Sequence, residues 1–268
     1  MSRPLVSAIV LNYRSPRDTH QCVTALLSQT MVDRLEVLIV DNHSDDESIG
    51  WLRARWNGKP GVKIIETNDN IGYGRGNNAA FRHADGEYIL IVNPDNTLPP
   101  DALQKMLDVL RTEKDAGIVG PGLVYADGSF RPSARRFPSI ADLFRKRMNG
   151  AKWQAAYDAE MLSKRKGVQP VDWLVGACLL LSSDFYAQLA GFDDRYFLFF
   201  EDIDLCRRCW NSGKRVLYAP EIHVLDRRQR LSGSNMLSLI TRKTTRIHAF
   251  SALQYFWKWK GAVAPRAA

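Results

Sequence analysis

The chain has 268 residues, of which 45% are hydrophobic and 25% are charged, and it carries a formal net charge of +8. This composition is typical of a globular protein, and the length suffices for one large domain or two small ones. No apolar run approaches the roughly 20 residues that a membrane-spanning helix needs, so the sequence excludes a helical membrane span.

The positive charge is concentrated in two segments. Residues 127–170 contain ten Lys or Arg against four Asp or Glu, and residues 226–268 contain nine against one. Such segments favour an anionic partner, for example a phosphate, nucleic acid or an anionic membrane face; solvated loops and a tail are the alternative. No recognised nucleic-acid motif accompanies them, so we expect no nucleic-acid partner.

The N-terminal run and the cysteines bear on the compartment. Leu5–Leu11 lacks the flanking features of a signal peptide, so we expect it to be a first strand. The scattered cysteines Cys22, Cys178, Cys206 and Cys209 favour a reducing compartment. The last two form a single CxxC pair, which is too few ligands for a zinc site.

Strand-like and helix-like patterns alternate through the first 125 residues. Strands are predicted at Leu5–Leu11, Leu35–Val40, Val62–Ile65, Tyr88–Val92 and from Ile118. Helices are predicted at Pro16–Gln29, Ser48–Trp56, Gly76–Ala84 and after Asp101. Residues 127–170 are predicted to be a loop with short helices, and order returns with a strand at Trp173–Leu181, helices at Asp184–Leu189 and Glu201–Arg208, and a last strand at Arg215–Ala219. The alternation implies βαβ units and a mainly parallel sheet.

A polar turn follows the apolar strand Tyr88–Val92. Pro94 cannot donate to a strand ladder, so the strand stops there. Asp95 is therefore held just past the carboxyl end of a buried strand, where ligands bind in open α/β sheets. A carboxylate there suits a divalent cation that in turn holds phosphate. The alternative is a simple turn, because all four residues from Asn93 to Asn96 are turn formers.

Polar residues also follow the second predicted strand, from Asp41 to Asp46. They are expected at the same sheet edge as Asp95, where an Asp or Asn side chain is able to read the imide edge of a pyrimidine base. Capping of the next helix by Ser44 and Asp45 is the alternative, and the two roles are compatible.

A glycine-rich motif spans Asn70–Asn78. Its GxGxG spacing, and its place in the third unit of the sheet, differ from a dinucleotide-binding fingerprint. The glycines still permit close approach of a ligand, and Arg75 is placed to contact a phosphate or base. A flexible turn before a helix is the alternative.

Three carboxylates lie in four residues at Glu201–Asp204, directly after an aromatic run. On a helix, Glu201, Asp204 and Arg208 share a face, which explains the first two as helix-start acids with an Asp204–Arg208 pair. Asp202 points elsewhere, beside the apolar run. Burial there would raise its pKa and suit a general base.

Together these segments resemble glycosyltransferase family 2, the inverting enzymes of the GT-A fold, and most closely its bacterial rhamnosyltransferase-type members. The matching segments are Val6–Tyr13, Leu26–Thr30, Val37–Asp46, Asn70–Ala80, Gly86–Asp95, Trp173–Leu181 and Gly191–Arg208. The resemblance implies a nucleotide-diphospho-sugar transferase fold, an α/β architecture with one Rossmann-like, mainly parallel central sheet flanked by helices. Its nucleotide-sugar half would be 1–125 and its acceptor and catalytic half 126–225, followed by a basic, aromatic helical tail at 226–268.

The resemblance also implies a donor site. Tyr13 would stack on the base, and Asp41 or Asn42 would read its edge. Arg75 would lie close to the nucleotide.

The resemblance also implies which residues hold the metal and leave room for the sugar. Asp95 matches the end of the family's metal-binding Asp-x-Asp, where Mg²⁺ or Mn²⁺ would neutralise the leaving diphosphate. This chain has Asn93 where the first Asp is expected, which puts metal dependence in doubt. His223 matches a second metal ligand of some relatives. Gly176 and Ala177 would leave space for the donor sugar.

In the implied mechanism, Asp202 is the catalytic base of a single displacement and Glu201 orients the acceptor. The resemblance favours dTDP-L-rhamnose as donor, with UDP-sugars as the alternative, and a glycan or lipid-diphosphate-linked acceptor. We expect a cytoplasmic protein, peripheral on the inner face of a bacterial membrane, with the basic segments on an anionic membrane surface. A non-catalytic nucleotide-sugar or glycan-binding module on the same fold is the competing hypothesis.

Overall fold

The computed structural model describes residues 4–139, 166–227 and 243–265. The strands are β1 Val6–Asn12, β2 Leu35–Asp41, β3 Val62–Glu66, β4 Tyr88–Val92, β5 Asn96–Thr97, β6 Ala116–Val124, β7 Phe130–Arg131, β8 Ala134–Arg135, β9 Gln169–Pro170, β10 Trp173–Leu174, β11 Cys178–Ser182 and β12 Arg215–Asp226. The α-helices are α1 Pro16–Leu26, α2 Ser48–Trp56, α3 Tyr73–Phe81, α4 Ala102–Thr112, α5 Ser183–Gln188, α6 Glu201–Asn211 and α7 Lys243–Lys258. The short helices predicted between 140 and 165, and tail residues 228–242 and 266–268, lie outside the described residues.

One large sheet has the strand order β3-β2-β1-β4-β11-β6-β12-β5. The first four strands are parallel neighbours, as are β6 and β12. β11 is antiparallel to both β4 and β6. The α/β architecture with a mainly parallel central sheet, predicted from the alternating pattern, is confirmed.

The reversed direction of β11 positions the site. Its first residue, Cys178, pairs with Val92, the last residue of β4. The amino end of β11 therefore lies at the same edge as the carboxyl ends of the parallel strands. Gly176 and Ala177, which immediately precede β11, are thereby brought beside the turn that carries Asp95.

Both faces of the sheet are covered by apolar side chains. Every residue of β1 and β2 is buried. Alternate residues of β1 join different clusters, with Val10 packing on one face and Ile9 on the other. Full burial of such a side chain stabilises the fold by about 1.5–3 kcal/mol. The strands therefore form a rigid base for the polar residues at their ends.

The structure differs from the predicted elements in several places, of which three bear on the site. α3 begins at Tyr73, earlier than Gly76. The strand predicted at Trp173–Leu181 is split, because the backbone of Gly176 is bonded to side chains and not to a neighbouring strand. The last strand continues past Ala219 to Asp226, across an irregularity at Pro220, which cannot donate to the ladder. The domain boundary placed at 225 therefore cuts through a strand.

The helices show no candidate membrane span. None of those in the described parts of the chain is both long enough and apolar enough to cross a bilayer.

Candidate active site

A chain of hydrogen bonds joins the polar residues at this sheet edge, and Tyr73 is its centre. The Tyr73 hydroxyl donates to the backbone oxygen of Gly176 at 2.7 Å and lies 2.9 Å from Oδ1 of Asn93. Burial, with the nearby charges of Glu201 and Asp202, raises the pKa of Tyr73 well above its usual range, so the hydroxyl stays a donor. The turn before Asp95 is thus tied to Gly176.

Asp202 continues this chain from the first turn of α6. Its Oδ2 accepts the backbone N–H of Gly176 at 2.9 Å, and its Oδ1 accepts that of Ile203 at 2.8 Å. Burial raises the pKa of Asp202, and the two N–H groups oppose that rise because they stabilise the ionised form. A carboxylate held at both oxygens, with a raised pKa, is suited to accept a proton.

Gly176 allows the close approach of Asp202. A Cβ added at Gly176 would lie 3.1 Å from the Cβ of Asp202. Ala177 is buried in the apolar core and its backbone oxygen accepts the N–H of Asn93 at 2.8 Å. These contacts give both small residues a packing role, and the space for a donor sugar stays a prediction.

Glu201 is buried at the start of α6, next to Asp202, which is half-buried. Only 5% of Glu201 is exposed, and its Oε2 has no hydrogen-bond partner among the described residues. Burial, and then the charge of Asp202, raise the pKa of Glu201 well above its usual range. The two N–H donors favour the ionised form of Asp202, whereas Oε2 of Glu201 has no such donor among the described residues. Its role in orienting an acceptor stays a prediction.

Asp41 is fixed at the end of β2 by hydrogen bonds from β1 and the following turn. Its Oδ1 accepts from Nδ2 of Asn12 at 2.6 Å, and its Oδ2 accepts the N–H of Ser44 at 2.9 Å. Asn12 also accepts from Thr19 at 2.9 Å, which ties α1 to the same network. An ionised carboxylate keeps acceptor sites beyond these two, so Asp41 remains a candidate for a base edge.

Asn42 is engaged within the protein. Its Nδ2 donates to Oδ1 of Asn70 at 3.0 Å and to the backbone oxygen of Gly72 at 3.2 Å. Its Oδ1 accepts from Thr67 and from the N–H of Ile71, each at 3.2 Å. Both protons and both acceptor sites of the amide are thus used to hold the 67–72 loop. Of the two predicted base readers, the geometry favours Asp41.

Tyr13 and Arg75 lie on the outside of this edge. The Tyr13 ring is exposed just past β1, and the guanidinium of Arg14 lies 5.2 Å from its centre. An exposed ring there is available for base stacking. Arg75 is also exposed, and its Nε donates to the backbone oxygen of Asp194 at 2.7 Å. Arg75 therefore links α3 to the loop that precedes α6.

Asp95 is half-buried in a turn held by Arg227. The N–H of Arg227 donates to the Asp95 backbone oxygen at 3.0 Å, and its guanidinium donates to the oxygen of Pro94 at 2.8 Å. Across the described residues, no three His, Cys, Asp or Glu side chains gather into a closed metal site. Hydrated Mg²⁺ takes one or two carboxylates plus substrate phosphates, and Asp95 fits that donor set.

His223 lies within β12 and not after it. Its side chain is exposed, and its ring packs edge-on against Phe130 with the centres 5.1 Å apart. Arg227, whose N–H meets Asp95, is four residues further along, roughly 13 Å at strand spacing. The described contacts do not bring His223 together with Asp95, and its role as a metal ligand stays a prediction.

The segment before α6 adopts an unusual backbone. Phe199 and Phe200 have φ angles of 69° and 70°, in the left-handed region that bulky residues avoid. α7 holds this segment: Ser251 donates to the oxygen of Leu198 at 2.9 Å, and the ring of His248 packs on both phenylalanines. The orientation of α6, and with it Asp202, therefore depends on the C-terminal helix.

Asp204 anchors α7 from inside α6. It is fully buried, and its Oδ2 accepts from Nε of Arg208 at 2.7 Å, as the spacing predicts. Its Oδ1 accepts from Lys258 at 2.7 Å and from the indole of Trp259 at 2.9 Å. Lys258 also donates to Asp193 at 2.7 Å. The segment 243–260 is thus bound directly to the carboxylate helix.

Sequence reasoning missed Tyr73, Arg227 and the Asp204–Lys258 contact. Tyr73 lay inside the recognised glycine motif, but the helix was predicted to begin only at Gly76, after it. The contacts of Arg227 and Lys258 span 132 and 54 residues, and no local pattern indicates them.

Comparison with known proteins gives consistent matches. The family model described as Glycosyl transferase family 2 matches residues 7–168, and the one described as Glycosyl transferase family group 2 matches residues 88–260. An N-acetylglucosaminyl-diphospho-decaprenol L-rhamnosyltransferase of Mycobacterium tuberculosis (strain H37Rv) is 30% identical over 255 residues, covering 88% of this chain and 80% of the relative. Rhamnosyltransferase WbbL of Escherichia coli K12 is 29% identical over 164 residues, covering 58% of this chain and 60% of the relative.

A solved structure shares the fold. A mannosyltransferase of Pyrobaculum calidifontis, in complex with GDP-Man and Mn²⁺, superposes with a TM-score of 0.68 at 20% identity, covering 99% of this chain and 67% of that one. The predicted GT-A fold is confirmed by this likeness.

Proposed function

The chain belongs to glycosyl transferase family 2, and we propose that it moves L-rhamnose from dTDP-L-rhamnose to a hydroxyl of a glycan or lipid-diphosphate-linked acceptor in cell-envelope polysaccharide synthesis. The rhamnosyltransferase activity in the names of both relatives supports the sugar, and the decaprenol in the name of the first supports a lipid-linked acceptor. We place the protein at the inner face of a bacterial membrane.

The observation that supports the reaction type is the half-buried Asp202 carboxylate, which two backbone N–H groups hold beside buried Glu201. In the proposed step, Asp202 takes the proton of the acceptor hydroxyl as its oxygen attacks the anomeric carbon. The bond from that carbon to the diphosphate oxygen breaks, the nucleoside diphosphate leaves, and the anomeric configuration inverts. The N–H groups of Gly176 and Ile203 would stabilise the ionised form of Asp202, which is the form able to accept the proton.

The donor would lie across the ends of the first strands. Tyr13 would stack on the base and Asp41 would accept from its edge. A Mg²⁺ or Mn²⁺ ion held by Asp95 would supply positive charge to the diphosphate. Tyr73 holds Asn93 and Gly176 together, and thereby fixes the distance between the diphosphate end of the site and the base.

Two measurements on the purified protein test this proposal. Thermal shifts with dTDP-L-rhamnose and a panel of UDP-sugars, with and without Mn²⁺, identify the donor. Transfer is then measured for the wild type and for Asp202→Asn. We expect the variant to bind donor like the wild type and to lose transfer by about 10²–10⁴-fold, the usual contribution of a general base.

Asp184→Asn is the matched control. Asp184 is an exposed acid in the first turn of α5, just after Ser182, which pairs with Tyr88 at the opposite edge of the sheet. Its transfer rate should equal that of the wild type. Donor binding without any transfer by the wild type would instead identify a non-catalytic module, and a thermal shift with a UDP-sugar alone would overturn the rhamnose donor.

A further inference from the structure

The outer face of α7 carries a single stripe of exposed residues. They recur every three or four positions, which places them on one side of a helix: Lys243, Arg246, Phe250, Leu253, Trp257 and, just past its end, Lys260. The three large apolar side chains are 62%, 70% and 78% exposed. They are thus left unpacked by every described part of the chain, and cations stand at both ends of the stripe.

The opposite face of the same helix is the one bound to the site. Ser251, Ala252 and Tyr255 are buried, and Tyr255 packs on Phe200 with ring centres 5.4 Å apart. On this inner face, Ser251 contacts Leu198, and Lys258 contacts Asp193 and Asp204. The inner face therefore holds the segment that leads into Asp202. The helix therefore has one face committed to the active site and the other turned outward.

We propose that the outer stripe of α7 rests on an anionic lipid bilayer, an inference that rests on the lipid-linked acceptor of the proposed function. Aromatic and aliphatic side chains flanked by Lys and Arg are the composition of helices that lie in a membrane interface. Residues 243–265 contain no Asp or Glu, so nothing on this segment repels an anionic headgroup. The positive charge of the stripe complements an anionic lipid surface. A second copy of this chain is itself basic, so anionic lipid is the favoured partner.

In this arrangement, α7 sets the distance between the bilayer surface and the Asp202 carboxylate. α7 is a single helix about 10 Å across, and its inner face touches the residues adjoining Asp202. A membrane under the outer face would hold the base at about that height, where a sugar on a lipid diphosphate projects from the surface. The helix thereby orients the active site toward acceptors that are confined to the membrane.

Vesicle flotation of the full chain tests the proposal without reference to activity. We expect the wild type to float with phosphatidylcholine vesicles containing phosphatidylglycerol and not with phosphatidylcholine alone. Replacing Phe250, Leu253 and Trp257 together with Gln should lower the partition coefficient by at least roughly tenfold, because the apolar contact with the interface is lost. Replacing Arg246 and Lys260 with Gln should lower it by about fivefold for each cation, and added salt should reproduce that loss.

The control replaces two exposed apolar residues elsewhere, Val32 and Val168, with Gln and should float like the wild type. All variants change exposed side chains, and their melting temperatures and donor binding should match the wild type. Transfer to a short water-soluble acceptor should persist in the triple variant, while transfer to a vesicle-embedded acceptor falls. If neither acceptor is used but vesicle binding persists, the proposed function fails and the membrane face stands.

Equal flotation of wild type and triple variant would overturn the proposal, as would no flotation of the wild type. Light scattering during size-exclusion chromatography tests the remaining alternative, in which α7 contacts a second copy of the chain. A wild-type dimer that the triple variant converts to a monomer, with vesicle binding unaffected, would assign this face to a second copy and overturn the lipid proposal.

Discussion

Replacing Gly176 with alanine tests whether its packing sets the position of Asp202. The added Cβ would lie 3.1 Å from Cβ of Asp202 and 3.5 Å from its Oδ2, whereas carbon atoms pack without strain at about 3.5–4.0 Å. Asp202 must therefore move by roughly half an ångström. The 2.9 Å hydrogen bond from Gly176 then stretches beyond ordinary length.

The substitution should affect both the unfolding free energy and the rate of transfer. Overpacking of this kind costs about 1–3 kcal/mol of unfolding free energy. A misplacement of 1 Å costs about 10²-fold in rate, so a shift of half that size should lower kcat by about tenfold. Because Asp202 would contact the acceptor and not the nucleotide, the donor Kd should stay unchanged.

Urea unfolding and steady-state transfer kinetics check these values, and Gly50→Ala is the matched control. Gly50 lies in α2 with no atom within 4 Å of an added Cβ, so alanine there should raise stability by about 0.5–1 kcal/mol and leave kcat unchanged. A wild-type kcat in Gly176→Ala would refute the argument that this contact positions the base.

Three further substitutions probe the same network. Tyr73→Phe should cost about 1–3 kcal/mol in urea unfolding, because it leaves the buried oxygen of Gly176 unpaired; an unchanged midpoint would contradict the bridging role. The raised pKa of Glu201 contributes stability that is present below the ordinary Glu pKa and is lost as pH rises toward the folded pKa. Glu201→Gln should therefore gain stability relative to the wild type as pH rises above the ordinary Glu pKa; parallel curves of unfolding free energy against pH would contradict this. Lys258→Met removes a cation from buried Asp204 and should cost about 3 kcal/mol at pH 7, against less than about 0.5 for exposed Lys260→Met; equal losses would show that the Asp204 contact is unimportant.

The sequence was sufficient to predict the central strands because most of their residues are buried. Tyr88–Val92 was predicted with the bounds that the structure shows, since an apolar run ended by proline has few alternatives. The split before β11 could not be predicted in the same way. The bonds of Gly176 go to Tyr73, 103 residues away, and to Asp202, 26 residues away, and a local pattern carries no information on such partners.

The sequence predicted which residues belong to the candidate site, but not the hydrogen bonds that join them. Asp41 and Asn42 look equivalent in the sequence, since both follow β2. Only the structure shows that the amide of Asn42 is used up by Asn70, Gly72, Thr67 and Ile71. The last strand was predicted to end at Ala219, whereas pairing with β6 resumes at His223.

The contacts of α7 show how a distant helix determines the backbone conformation of the segment before α6. Left-handed backbone at Phe199 and Phe200 costs on the order of 1–3 kcal/mol for each residue, so it persists only where surrounding contacts impose it. Those contacts come from α7, about 50 residues later, through His248 and Ser251. Since α6 begins directly after Phe200, the direction of the Asp202 carboxylate is set by the C-terminal helix as much as by its own sequence. A helix that looks like an appendage in the sequence is therefore a structural support of α6 and the segment before it.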